Sequence, residues 1–328
     1  MFLIYLWTFL LATKVSVNAF DPSFCKVGVV THFSHHKADM KIVDMLKETG
    51  AKYVRDYVIW RVTEKTKGKF FIDDRMLQYI DRLNAFNIKP MLILCYNNLI
   101  YADAEETGAN TPKLREAFGR YVSFLVSTFK GKVYAWEIWN EPDQKGFWRP
   151  VPKSSDYCLL VKHVAPIIRK IDPHALIIAG ATVGPNWEYL DSLRQSEAWA
   201  DIDVISFHWY TYTKPPDSGP WNMSLHSVQS FVQAIRHLGK RVWITEMGYS
   251  TSNDKHGISE IQQTEYLRKQ LELAAEMGVE ICFIYDLIDD GPDAGNKLHR
   301  FGLFRSDGTP KPAAAVLAPF NSQIRTAK

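Results

Sequence analysis

The sequence predicts a single-domain (β/α)8 barrel, an α/β fold of parallel strands closed inside a ring of helices. Three observations predict it. Apolar strand-like runs recur about eight times between Lys26 and Leu287, amphipathic helical patterns fall between them, and 328 residues with 46% hydrophobic content suit one barrel of about 250 to 300 residues. Alternating strand and helix implies parallel strands joined by right-handed crossovers. An open doubly wound sheet is the rival, but no Gly-x-Gly-x-x-Gly follows the first run.

In chain order, the strand candidates are Lys26 to Phe33, Tyr53 to Trp60, Lys89 to Asn97, Val133 to Asn140, Ala175 to Thr182, Val204 to Tyr210, Arg241 to Thr245 and Ile281 to Leu287. Each is rich in β-branched or aromatic residues and bounded by polar or turn-forming ones. Helices are expected over Lys37 to Thr49, Asp74 to Phe86, Ser155 to Lys170, Ser227 to Leu238, Glu260 to Met277 and, last, Ala313 to Phe320. The clearest pattern is Leu114, Phe118, Tyr121, Val122, Leu125, Val126 and Phe129, whose three- and four-residue steps place them on one helix face.

A net charge of +3 with scattered basic residues argues against a nucleic-acid stripe or a polybasic membrane patch. Lys65, Lys67 and Lys69 read as a solvated loop. Met1 to Ala12 is apolar but too short to span a bilayer, and Val17-Asn18-Ala19 offers small residues where a signal peptidase cuts. Residues 1–19 are therefore read as a signal peptide and 20–328 as a secreted domain. Lys14 follows the apolar stretch instead of preceding it, so an uncleaved anchor is the alternative. Asn222-Met223-Ser224 is a glycosylation sequon on a loop. Cys25, Cys95, Cys158 and Cys282 lack metal or redox spacing; Cys95 and Cys282 read as core residues, and any disulfide pairing stays open.

Glu141 and Glu246 are the candidate chemistry. The first follows Trp136-Glu137-Ile138-Trp139-Asn140 and precedes Pro142, and the second follows Val242-Trp243-Ile244-Thr245 and precedes Met247-Gly248. Both stand where an apolar run ends, and in parallel barrels the carboxyl ends of strands carry the active site. One glutamate at a strand end is most often a cap or an ion pair. Two in these contexts resemble the acid/base and nucleophile motifs of clan A retaining glycoside hydrolases, and the strand count puts them after the fourth and seventh strands, where that clan carries them.

The resemblance extends along the chain through Gly28-Val29-Val30-Thr31-His32-Phe33, Tyr53-Val54-Arg55-Asp56 with Trp60 and Glu64, Phe207-His208-Trp209-Tyr210, and Phe301-Gly302-Leu303-Phe304. Phe147-Trp148-Arg149-Pro150 and Gly248-Tyr249-Ser250-Thr251 are most similar to family 39 and its bacterial endoglycosidase relatives. It implies Glu141 as acid/base, Glu246 as nucleophile, Arg55 and Tyr210 as donors to Glu246, Asn140 as a contact to the sugar 2-hydroxyl and His208 as an orienting residue. His32, Asn97, Trp60, Trp139, Trp148, Trp209 and Tyr285 are candidate substrate contacts, with Trp187 and Trp221 further loop aromatics. One departure stands out: the eighth strand ends in Tyr285-Asp286, where the clan commonly has a tryptophan under the reacting sugar.

His32, His35 and His36 do not converge as metal ligands in a strand or helix start, and Asp289, Asp290, Asp293 and Asn296 lack calcium-loop spacing. No metal and no cofactor is expected. The expected partner is a carbohydrate, with no nucleic acid and no membrane after signal cleavage, and the chain is expected to be a monomer. Hydrolysis of a β-linked oligo- or polysaccharide, endo-acting, is the leading reading. A transglycosylase and a non-catalytic glycan-binding barrel are the alternatives.

Overall fold

The computed structural model of the chain describes residues 25–33, 39–103 and 106–322. The signal-peptide reading of 1–19 and the residues His35 and His36 lie outside them. Eight parallel strands close into a barrel: β1 (Lys26–Val30), β2 (Tyr53–Tyr57), β3 (Lys89–Leu94), β4 (Ala135–Ile138), β5 (Leu176–Val183), β6 (Val204–His208), β7 (Arg241–Met247) and β8 (Ile281–Ile284), with β8 returning to pair β1. Around them run α1 (Lys41–Thr49), α2 (Trp60–Thr63), α3 (Asp74–Ala85), α4 (Pro112–Thr128), α5 (Ser154–Ile171), α6 (Trp187–Gln195), α7 (Leu225–His237), α8 (Glu260–Met277) and α9 (Ala318–Asn321).

Local chemistry explains the strongest helices. In α4 the Thr111 side chain accepts from Leu114 N–H and Pro112 opens the first turn, where its missing N–H costs nothing. A reciprocal Ser259/Gln262 capping box starts α8, and Gly278, at φ 82°, ends it in the left-handed conformation glycine tolerates. The helix α6 was not expected. It is short and mostly polar, yet it is capped by Asn186 and buries Tyr189, Leu190 and Leu193. The expected terminal helix is instead a 3-10 turn over Pro312–Val316 followed by the single turn of α9.

Alternation along the strands divides the interior. Val30, Met91, Ala135, Ile178, Val204, Trp243, Ile281 and Phe283 fill the inside of the barrel, whereas the opposite faces join the larger layer under the helices. The filled interior is a solid floor for whatever binds above it. Period-two alternation then points Arg55, Glu137, Ser206 and His208 inward above that floor. Two local irregularities extend the inward set. Pairing shifts between Phe207↔Ile244 and His208↔Glu246, so an extra residue in β7 aims Glu246 at the axis, the usual effect of a bulge. Trp139, at φ 70°, ends β4 two residues earlier than expected and turns its own ring outward, leaving Asn140 and Glu141 at the mouth.

The four cysteines are buried and free, with Cys25 and Cys282 Sγ atoms 3.7 Å apart. Among the described residues no helix is long and apolar enough to cross a membrane.

Candidate active site

The carboxyl ends of the strands surround a cleft of about 950 Å3. His32, Arg55, Asn97, Asn140, Glu141, Tyr210, Glu246 and Tyr285 all line it. At its base Arg55, fully buried on β2, holds three groups: Nε donates to Glu137 at 2.8 Å, Nη1 to Glu246 at 2.5 Å and Nη2 to Asn140 Oδ1 at 2.7 Å. Glu137 also accepts from Ser206 Oγ at 2.8 Å. One guanidinium fork therefore ties the ends of β2, β4 and β7 together.

Tyr210 donates its hydroxyl to the other oxygen of Glu246 at 2.8 Å. His208 Nδ1 lies 2.9 Å from Glu141 and 3.6 Å from Glu246, and its Nε2 is buried without a partner. Burial alone would raise the Glu246 pKa, but the positive neighbours His208 and Arg55 and the hydrogen bonds from Tyr210 and Arg55 hold it below the ordinary carboxylate value. Burial works against charge on His208, yet the two glutamates raise its pKa. Burial and the adjoining Glu246 push Tyr210 far up, so it remains a donor. Glu141, at φ 47°, is partly exposed. One donor atom each from Glu141, His208 and Glu246 lie within 4.8 Å of one another.

The tryptophans are corrected by burial. Trp60, Trp139, Trp148 and Trp209, expected as sugar contacts, are at most 2% exposed and none lines the cleft. Trp60 donates to Glu64 and lies between Tyr101 and Tyr121, Trp139 packs on Phe118 and Trp148, and Trp209 donates to the Met223 carbonyl. All four rings belong to the apolar layer between the barrel and its helices, where their large area is best buried. The aromatic walls are Tyr57, Tyr96, Phe147, Tyr212, Tyr285 and Phe301 instead. Sequence reasoning overlooked most of them because loop aromatics carry no periodicity. Glu137 and Ser206 were overlooked as well, although each lies two residues after an apolar strand residue, Ala135 and Val204, that faces the barrel interior.

A second polar corner lies at the ends of β1 and β8. His32 Nδ1 is 3.0 Å from Asp290 and 3.8 Å from Asp286, with Tyr285 edge-on to its ring. Burial opposes charge on His32 but the Asp290 contact raises its pKa. Neither oxygen of the buried Asp286 accepts from a donor, and burial with the negative neighbours Asp290 and Asp289 pushes its pKa far above the usual range. Among the described residues, His32, Asp286 and Asp290 form one of two sets whose donor atoms are close enough to share a metal, the other being Glu141, His208 and Glu246.

Comparison with known proteins places this geometry in a lineage. Residues 17–290 match the model of the cellulase family, glycosyl hydrolase family 5. A β-xylosidase of Geobacillus stearothermophilus is 26% identical over 193 residues, covering 52% of this chain but 38% of that protein. A probable mannan endo-1,4-β-mannosidase C of Aspergillus terreus is 30% identical over 102 residues, 28% of this chain and 25% of that one. The chain thus spans well under half the length of these relatives. A family 39 glycoside hydrolase from Bacteroides cellulosilyticus WH2 superposes with a TM-score of 0.77 at 23% identity, over 94% of this chain and 66% of that one, and shares the fold. With its family match covering most of its length, the chain belongs to the cellulase family of clan A glycoside hydrolases.

Proposed function

We propose that the protein hydrolyses β-glycosidic bonds with net retention, Glu246 acting as nucleophile and Glu141 as acid/base. The observation that carries this reading is the proximity of the two carboxyl groups. Their donor atoms fall within 4.8 Å, close to the spacing of about 5 Å at which a carboxylate attacks directly, and too near for an intervening water in the inverting arrangement.

The surroundings divide the two roles. Glu246, held anionic by Arg55 and Tyr210, adds to the anomeric carbon as Glu141 gives its proton to the departing oxygen. Glu141 then takes a proton from water as that water displaces Glu246. Arg55 occupies Asn140 Oδ1, so the group Asn140 offers a sugar 2-hydroxyl is its amide N–H. His208 spans the pair and orients Glu141. His32, Asn97 and Tyr285 stand where sugar hydroxyls and ring faces would meet the walls.

The cleft volume, at the upper end of the range of about 300 to 1,000 Å3 for ligand sites, suits several sugar units and internal cleavage of a β-linked chain. The β-xylosidase and β-mannosidase likenesses favour a neutral pentose or hexose backbone. Secretion through residues 1–19 would bring the enzyme to such a polymer.

The test is turnover and stereochemistry. Glu246→Gln should abolish hydrolysis of every substrate, and wild-type-like activity would refute the assignment. Glu141→Gln should lose about 10²–10⁴-fold on unactivated glycosides but far less on aryl glycosides, whose leaving group needs little protonation. The first-formed product, followed by NMR, should be the β anomer; an initial α anomer would replace retention by inversion.

A further inference from the structure

The barrel closes where its first strand meets its last. β1 and β8 stand at opposite ends of the strand order and pair in register from Lys26↔Ile281 to Val29↔Ile284. Two cysteines meet near the amino end of this seam: Cys25, immediately before β1, and Cys282, within β8. Both are fully buried in the layer beneath the helices, the same layer that takes Val27, Val29 and Ile284, and their Sγ atoms are 3.7 Å apart. The other two cysteines lie in other sectors, Cys95 after β3 and Cys158 in α5. Closure of the barrel is what brings the first pair together, since 257 positions of sequence separate them.

The surroundings leave the pair room to join. A disulfide is about 2.05 Å long, so the sulfurs must approach by about 1.7 Å. Cys282 is fixed within the ladder, but Cys25 precedes Lys26, the first paired residue of β1, so its backbone can shift without breaking a rung. The register beyond it is held from the other side. Val27 lies before the first pair of β1 with β2, Gly28↔Tyr53, and Asn321 of α9 takes that rung: its Oδ1 accepts from Val27 N–H at 3.1 Å and its Nδ2 donates to the Val27 carbonyl at 2.8 Å. Beyond the opposite ends of the same two strands stand His32 and Tyr285, so the seam beside the cysteines also sets two walls of the cleft.

Two thiols in contact inside an apolar layer pack as small hydrophobes, a role that residues without redox chemistry could fill. We propose that Cys25 and Cys282 form a redox site, joined as a disulfide in an oxidising compartment and stapling the first strand of the barrel to the last. The oxidant is a disulfide of the glutathione class. One protein thiolate attacks it and releases one glutathione, and the second attacks the mixed disulfide and releases the other, so the two electrons and two protons lost by the cysteines reduce one glutathione disulfide to two thiols. Timing follows from burial. Burial and the neighbouring Cys25 push the Cys282 thiol far above its ordinary pKa, which makes it a slow nucleophile in the folded barrel. The bond therefore forms while the seam is open during folding and is protected once the barrel closes. The staple goes beyond the glycosidase reading and stands or falls without it.

The experiment uses the full chain, unfolded and reduced, then refolded in a mixture of oxidised and reduced glutathione, with recovery of the fold followed by circular dichroism. Of the four cysteines, alkylation in denaturant should find two as free thiols, and all four after dithiothreitol. Proteolytic mapping by mass spectrometry should recover the Cys25 and Cys282 peptides linked, lighter by two hydrogens than the separate pair. Dithiothreitol should lower the Tm of the oxidised protein by about 3–8 °C, as opening a long cross-linked loop requires. Cys25→Ala should melt at one temperature with and without dithiothreitol, a pattern that a packing role alone does not produce. Four free thiols after oxidative refolding, or a linkage of Cys25 or Cys282 to a different cysteine, would overturn the proposal. So would a dithiothreitol effect in Cys25→Ala as large as in the wild type. If Cys25→Ala fails to fold, the thiol count and the linked peptide of the wild type decide.

Discussion

Glu246 and Asp286 are carboxyl groups buried at the ends of adjacent strands, β7 and β8, yet their environments set opposite charge states. Glu246 accepts from Arg55 and Tyr210 and lies near His208, and its pKa is lowered despite burial. Asp286 is 2% exposed, accepts from no donor on either oxygen and faces Asp290 and Asp289, and its pKa is raised far above normal. Burial penalises the anion in both places. Compensation by donors and cations decides which carboxyl keeps its charge. The same barrel end thus lowers the pKa of one buried carboxyl and raises that of the next.

The comparison breaks most visibly if Glu246 loses its compensation. Arg55→Ala removes the cation that serves Glu246 and Glu137 together and leaves the fully buried Glu137 without its ion partner. We expect kcat to fall by about 10²–10³-fold with a much smaller change in KM, since in the proposed reaction this interaction aligns Glu246 for attack. The protein should also lose about 3–5 kcal/mol of stability in denaturant unfolding. A change confined to KM would move Arg55 to a binding subsite.

Tyr210→Phe removes one donor and leaves the cation. Its kcat/KM should fall about tenfold, and the acidic limb of the pH profile should move to higher pH. The sign follows from the lowered Glu246 pKa: in the wild type the anion persists to pH values below the ordinary glutamate range, so activity is lost only as pH falls through that lowered value, and weakening the anion raises it. An acidic limb unmoved in Tyr210→Phe would mean that another group controls it.

The smallest effect belongs to the neutral corner. Because the folded Asp286 pKa is raised, its stabilising difference is present below the unfolded value and is lost as pH rises toward the folded one. Asp286→Asn keeps the shape without the ionisation, so it should raise stability at pH 7 by about 1–2 kcal/mol and have little effect near pH 3. Destabilisation at pH 7 would show that Asp286 is instead anionic and paired with His32.

Much of this was legible from sequence where the signal was local. The strand runs, the α4 and α8 patterns and the glutamates at the ends of the fourth and seventh runs depend on periodicity and neighbouring residues, and the barrel with Glu141 and Glu246 at its mouth agrees. The tryptophans misled because aromatic character alone does not tell inward from outward. Trp139 is turned into the helix layer by its own positive φ and Trp209 by its place after the inward His208. The β7 bulge was likewise invisible, since nothing in Ile244-Thr245-Glu246 marks an extra residue until β6 is paired beside it.

By itself the sequence determined the alternation of strands and helices, the closure count and the two glutamates at strand ends, because backbone propensity and apolar spacing act over a few residues. Only the tertiary structure decided which side chains share a charge. Arg55 meets Glu246 across 191 residues of chain, Ser206 meets Glu137 across 69, and His32 meets Asp290 across 258. Their partnership is set by barrel closure and strand register, and since a buried carboxyl takes its ionisation from the groups within a few ångströms, the lowered pKa of Glu246 and the raised pKa of Asp286 exist only once those distant segments are packed together.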